Sequence, residues 1–416
     1  MKVTCFKKFF VCLSLFLILI TIFVSCTLAE DSSLDISSSS AILIELNSGK
    51  ILYEKNINEK MYPASLTKIL TAIIVIENSN LEDIVEVSSD AVMSIPFGYV
   101  TANLQVGEKF TVEQLLYVLM VGSSNDAAIV LAEHIAGSVE NFASLMNEKA
   151  KELGCTNSNF INPNGEHDDN HYSSAYDFSL ISKYAMKNET FRKLVSSTYY
   201  SLPSTEKYSK DDRFFTTTNS LLLKNSEYYY KNATGIKTGF TTPAGNCLIA
   251  SANKNDLELI AIVLNCPTSS DRYKDIKSLF EYGYNNYLIK QVAKSEKIVH
   301  TINVKHATRN TKKLDLAVKN DINVLINKEN AENTVMPEIV INKGLKAPLK
   351  KGDVVGSIKY ISEGITYEEP LVANNDVKKS YWFIKSIILL FVIILCLLYI
   401  KLMNNKKTSK KYGGRF

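Results

Sequence analysis

Cysteine is scarce where it could matter. Of seven cysteines in 416 residues, Cys5, Cys12 and Cys26 sit in an apolar N-terminal stretch and Cys396 in an apolar C-terminal one. Cys155, Cys247 and Cys266 remain, which is no disulfide framework. They could form at most one bridge, and Cys247 and Cys266, within apolar strand-like runs, read as buried free thiols. Histidine is equally sparse. The metal-like run Glu166-His167-Asp168-Asp169-Asn170-His171 has no H-E-x-x-H beside it, and His134, His300 and His306 are scattered, so a zinc peptidase is disfavoured and the run reads as a polar loop bordering a cleft. No basic patch motif argues for nucleic acid.

The net charge of +4 conceals a division. Residues 1–29 carry three basic groups and residues 378–416 carry nine, with no acid in either, so residues 30–377 hold 35 basic against 43 acidic groups, a net −8. Lys2, Lys7 and Lys8 precede the apolar stretch Phe9–Val24, and Thr27-Leu28-Ala29 fits a cleavage site, which makes residues 1–29 a secretory signal. An uncleaved anchor and a lipid-modified Cys26 are the alternatives. Residues 30–40, with four consecutive serines, read as a flexible leader. Residues 381–403 form an apolar stretch long enough to cross a bilayer, with Lys385 and Lys401 able to snorkel. The acid-free tail 404–416 carries Lys406, Lys407, Lys410, Lys411 and Arg415. Positive charge stays inside, so the chain is expected to be a single-pass cell-membrane protein with a cytoplasmic tail and an external catalytic domain.

Three short strings carry the chemistry. Ser65-Leu66-Thr67-Lys68 pairs a hydroxyl with an amine one helical turn away; Ser123-Ser124-Asn125 offers another hydroxyl and an amide; Lys237-Thr238-Gly239 offers a cation and a glycine that lets a substrate approach the backbone. A second S-x-x-K, Ser204-Thr205-Glu206-Lys207, shows that the pattern alone says little. Context separates them. Ser65 follows Pro63-Ala64 and opens an apolar run at helical spacing (Leu66, Ile69, Leu70, Ile73, Ile76). An N-cap accounts for a serine there, but not for Lys68, which must enter the apolar seam. A desolvated lysine loses its proton readily and can serve as base to a neighbouring hydroxyl. Leu115–Met120 reads as a helix ending at Val121-Gly122, and Ala127–Ile135 as the next. Lys237-Thr238-Gly239 reads as an edge strand whose hairpin leads into the buried run Cys247–Ala252.

These motifs resemble those of the penicillin-recognising serine enzymes. Tyr62-Pro63-Ala64 before Ser65, Asp126-Ala127-Ala128, Asn162-Pro163-Asn164-Gly165, His171-Tyr172-Ser173-Ser174-Ala175 and Gly235-Ile236-Lys237-Thr238-Gly239-Phe240-Thr241 narrow the resemblance to the low-molecular-mass D-alanyl-D-alanine carboxypeptidases (peptidase S11), over roughly residues 38–285. Ser124 stands where that family usually has glycine. The resemblance implies Ser65 as nucleophile, Lys68 as its base and Ser123 as proton relay. It implies Asn125, Lys237, Thr238, Gly239, Phe240 and Thr241 in substrate binding, the Ser65 and Phe240 N–H groups as oxyanion hole, and Arg272 as a further carboxylate candidate. It implies peptidoglycan stem peptides as substrate, β-lactams as acylating inhibitors, and no metal or other cofactor. A serine β-lactamase shares the motifs but wants an E-x-x-L-N string, which is missing; a wall-binding protein without activity would not need all three motifs intact.

Strands Ala41–Leu46 and Lys50–Glu54 around an Asn47-Ser48-Gly49 turn, helices after them, and strands again at Leu248–Ala252 and Leu257–Leu264 fit one antiparallel sheet covered by helices. The resemblance makes this an α/β (α+β) fold of β-lactamase/transpeptidase type, a catalytic domain over residues 41–290. Residues 291–375 hold short alternating runs (Ile298–Val304, Leu314–Val318, Ile322–Ile326, Glu338–Ile341, Val354–Tyr360), as expected of a small all-β domain that spaces the site from the membrane.

Overall fold

A computed structural model describes residues 34–412 apart from 210 and 332–334, with side chains described to residue 404. The signal at 1–29 lies outside the described residues. Strands β1 (Ser40–Glu45), β2 (Ile51–Lys55), β3 (Ala233–Thr241), β4 (Gly245–Lys254) and β5 (Leu257–Cys266) make one antiparallel sheet in the order β2-β1-β5-β4-β3. Its inner strands are apolar at successive positions because both faces are covered. Ile42, Ile44, Ile249, Ile260 and Ile262 pack on one face against helices, among them α1 (Lys68–Asn78), α2 (Val112–Met120), α3 (Asn125–Ala136) and α4 (Ala175–Ala185). The alternate residues Ala41, Leu43, Ala250, Ala261 and Val263 meet Ile276, Leu279 and Phe280 of α5 (Ser269–Asn286) on the other.

Two expectations change. The second half of the serine-rich leader is packed: Ile36 joins the α5 face, and Ser37 and Ser38 donate their backbone N–H groups to the Asp275 carboxylate at 3.2 and 2.8 Å. The next two serines dock by their hydroxyls, Ser39 Oγ donating to Asn265 O at 3.3 Å and Ser40 Oγ to Asn56 O at 3.0 Å. The division at residue 290 falls inside strand β6 (Tyr287–Ala293), which pairs with β9 (Ile322–Asn327). The second domain therefore begins at Tyr287. Its other strands are β7 (Ile298–Asn303), β8 (Lys313–Val318), β10 (Glu338–Ile341), β11 (Val354–Ser362) and β12 (Ile365–Ala373), in the order β7-β8-β12-β11-β10. Leu314, Leu316, Val324, Ile358 and Leu371 fill its core. Helix α6 (Trp382–Tyr412) follows, and Trp382–Asn404 within it is long and apolar enough to cross a membrane, with its side chains exposed. The three cysteines of the folded domains are unpaired.

Candidate active site

Ser65 stands in a 3-10 turn, Ala64–Thr67, that runs directly into α1. Ala64 enters this turn at φ 48°, a left-handed conformation that a non-glycine residue holds only where its surroundings impose it. They do so tightly. A Cβ on Gly165 would lie 1.9 Å from the Ala64 carbonyl oxygen, and one on Gly239 2.9 Å from that of Pro63. Gly239 therefore has a packing role in addition to the one expected: it lets strand β3 press against the turn carrying Ser65.

Lys68 is fully buried and its Nζ reaches three oxygens: Asn164 O at 2.6 Å, Asn125 Oδ1 at 2.7 Å and Ser65 Oγ at 3.0 Å. Burial, then the field of Lys237, push its pKa well below the usual lysine range, with Asp126 opposing. A neutral amine has two protons and one lone pair. As placed, Nζ donates to Ser65 Oγ; in the neutral form the two carbonyl oxygens would take both protons and the lone pair would face the Ser65 O–H. Position three of the motif also has a task. Thr67 Oγ1 lies 2.9 Å from His171 Nε2, while His171 Nδ1 accepts from the Ile161 N–H at 3.2 Å. Both ring nitrogens are thus engaged by protein groups, Nε2 carries the proton, and burial draws the His171 pKa down to about 4. With Thr71 donating to Pro163 O at 2.6 Å, the loop 162–171 clasps the start of α1.

Ser123 follows the end of α2 and has φ 60°; Ser124 then caps α3 by its backbone, its hydroxyl buried and unpaired. The carboxylate of Asp126 accepts from the Ala102 and Leu104 N–H groups, fastening the loop that contributes Tyr99 and Val100 to the cleft. Lys237 on β3, an edge strand as expected, donates to Ser123 Oγ at 2.9 Å and to Thr238 O at 3.2 Å. Burial and the Arg272 guanidinium lower its pKa to about 7. Thr238 hydrogen-bonds Thr218, whose carbonyl accepts from Tyr273 Oη at 3.1 Å; Arg272 Nη2 meets the same phenol at 3.2 Å.

A cleft of about 440 Å³ opens over this network, lined by Ser65, Asn125, Asn164, Glu166, His167, Phe240 and Thr241 among others. Lys68, Ser123, Lys237 and Thr238 are buried behind it. The second S-x-x-K lies on an exposed loop, where the Ser204 N–H donates to Asp212 and Thr205 to Glu108. Sequence reasoning missed the Asn164 carbonyl and the Thr67–His171 pair. The first is a backbone group, invisible in residue type, and the second joins positions 104 residues apart.

Comparison with known proteins agrees with this architecture. A family model described as D-alanyl-D-alanine carboxypeptidase matches residues 27–268, and one for the C-terminal domain of penicillin-binding protein 5 matches 287–379. The carboxypeptidase DacF of Bacillus subtilis is 34% identical over 84% of this chain and 88% of its own length. The carboxypeptidase DacC of Escherichia coli is 30% identical over 89% and 91%. Penicillin-binding protein 5 of Haemophilus influenzae superposes with TM-score 0.65 at 30% identity, covering 83% of this chain and 98% of that one. A Streptomyces K15 DD-transpeptidase mutant covers 60% and 98%, at TM-score 0.56 and 31% identity. With the S-x-x-K, S-x-N and K-T-G strings gathered around one cleft and these matches running the length of both domains, the chain belongs to the peptidase S11 family, the serine-type D-alanyl-D-alanine carboxypeptidases.

Proposed function

We propose that this chain removes the terminal D-alanine from peptidoglycan stem pentapeptides through an acyl-enzyme on Ser65. The observation that carries the reading is Lys68: fully buried, its Nζ within hydrogen-bond distance of Ser65 Oγ, Asn125 Oδ1 and Asn164 O, and its pKa lowered by that burial. Ser65 Oγ attacks the carbonyl of the last peptide bond and Lys68 takes its proton. The backbone N–H groups of Ser65 and Phe240 hold the oxyanion, each donor worth about 3 kcal/mol in the barrier. The C–N bond breaks as Ser123, joined to Lys237, passes a proton to the departing D-alanine amine. Asn125 holds the acyl chain. Lys237, with Thr238, Thr241 and Arg272 close by, meets the terminal carboxylate, whose charge raises the Lys237 pKa and keeps it protonated. Water then releases the shortened peptide. β-Lactams mimic this substrate and acylate the same serine. Helix α6 anchors the chain in the cytoplasmic membrane with the catalytic domain on the outer face.

The test uses the full chain in detergent. D-Alanine release from a peptide ending in D-Ala-D-Ala, together with a labelled penicillin adduct mapped to Ser65, is expected, and both disappear in Ser65→Ala. Release unaffected by Ser65→Ala, or rapid penicillin turnover without an adduct, overturns the proposal.

A further inference from the structure

The β-rich domain carries ten of its sixteen Lys and Arg residues on one set of loops. Residues 303–313 contain four Lys and Arg, residues 343–351 four and residues 377–380 two, with no Asp or Glu in any of the three. The fold draws these segments together. Ala347 N donates to Lys305 O at 3.0 Å, Thr308 N to Lys378 O at 2.9 Å, and Leu349 pairs with Val377. Ser380 N donates to His306 O at 2.7 Å. Two residues further on, Trp382 begins the apolar helix. The cationic side chains, Lys305, Arg309, Lys346, Lys378 and Lys379 among them, are exposed. Three carboxylates border the loops, Asp315 accepting from Thr301 Oγ1 and Asp353 and Asp376 from the Lys350 and Lys351 N–H groups, so ten cations face three anions and the surface stays strongly positive. The ion pair found in this domain among the described residues, Lys359–Glu368, involves none of the ten.

We infer that this collar is a docking surface for the anionic phospholipid headgroups of the membrane that holds α6. The inference rests on the membrane reading of Trp382–Asn404, and follows from continuity. A helix whose apolar run starts at Trp382 puts residues 377–381 at headgroup depth, and the two other loops are hydrogen-bonded to that segment. Basic groups there are drawn to anionic lipid within about one Debye length, ~8 Å at physiological salt. The net-negative remainder of the chain outside the membrane is repelled by the same surface. A lipid-docked collar therefore fixes the tilt of the β-rich domain, and with it the height of the cleft, beyond what the single chain connection at Ser380 could do.

The experiment is lysine footprinting of the full chain in nanodiscs by reductive methylation. Lys305, Lys346 and Lys379 are expected to react at least about fivefold more slowly in discs with 30% phosphatidylglycerol than in phosphatidylcholine discs. The difference should vanish in 0.5 M NaCl, and Lys224 on the catalytic domain should be unaffected. Equal labelling in both discs overturns the inference. So does protection that a soluble polyphosphate reproduces as well as the lipid does, which would point to an anionic polymer as partner. Extraction of the chain by alkaline carbonate would instead refute the membrane reading itself, independently of the collar. The triple variant Lys305→Gln, Lys346→Gln, Lys379→Gln should keep its D-alanine release in detergent and lose the lipid dependence of labelling at the remaining collar lysines.

Discussion

Asn125→Asp changes one atom of the site and asks whether Lys68 works as a neutral base. The wild-type amide oxygen accepts from Lys68 Nζ at 2.7 Å. A carboxylate in its place adds a full negative charge at the same distance. At an effective dielectric of ~20, unit charges 2.7 Å apart attract by about 6 kcal/mol. If half survives reorganisation and the cost of burying the carboxylate, about 3 kcal/mol remains, or about two pKa units at 1.36 kcal/mol each. The perturbation opposes the burial and the Lys237 field that now hold the Lys68 pKa down. The assay is the acylation rate with a fluorescent penicillin across pH 5 to 10. Wild type should acylate with an acid limb set by the lowered lysine pKa. The variant should show that limb moved up by about two units, with the pH 7 rate at least tenfold lower and the high-pH plateau partly retained. A variant that folds, by its thermal transition, and acylates with the wild-type pH profile would refute neutral Lys68 as the base. A uniform loss at every pH would mean that Asn125 acts through substrate contact alone.

Three further outcomes follow from the packing. Gly165→Ala sets a Cβ 1.9 Å from the Ala64 carbonyl at φ +82°, so it should cost about 3 kcal/mol in urea unfolding; Gly239→Ala, at 2.9 Å from Pro63 O, should cost less while slowing penicillin acylation about tenfold. Glu108 and Arg213 form a buried pair at 2.9 Å, so Glu108→Ala should lose about 3–5 kcal/mol by stranding the guanidinium, an effect that equal urea midpoints would contradict. His171 has its pKa lowered to about 4, so between that value and the unfolded 6.5 the unfolded chain binds the extra proton. Its contribution, up to about 3 kcal/mol, is complete above pH 6.5 and drains as the pH falls towards 4. His171→Gln should flatten that part of the stability curve, read as urea midpoints at pH 4.5 and 7.

Much was legible without coordinates because it depends on local pattern. The antiparallel sheet showed in short apolar runs around turn residues, and α1 in an apolar seam that one lysine interrupts. The three motifs showed by residue type which hydroxyls, amines and amide are on offer, and the fold gathers them, Lys68 bonded to Ser65 and Asn125, and Lys237 to Ser123. What stayed hidden depends on distant segments meeting. Strand β6 looked like the end of the catalytic domain because its partner β9 is some thirty residues on. Serines 37 and 38 looked like a tether because Asp275 lies 237 positions away from Ser38.

The sequence alone determined the membership of the site: which hydroxyls, amines and amide are present, in which order, and at what spacing along a helix or strand. Those properties are covalent and survive unfolding. Only the tertiary structure decided what each group is at neutral pH. Lys68 has its pKa pushed well below the usual lysine range because burial and the field of Lys237, 169 residues away, act on it together, and its Nζ meets the Asn164 carbonyl and the Asn125 amide oxygen from 96 and 57 residues away. Gly239 took on a packing role that its motif did not declare for a similar reason. The close approach of β3 to the turn before Ser65 is a distance between two chain segments, and no local pattern encodes it.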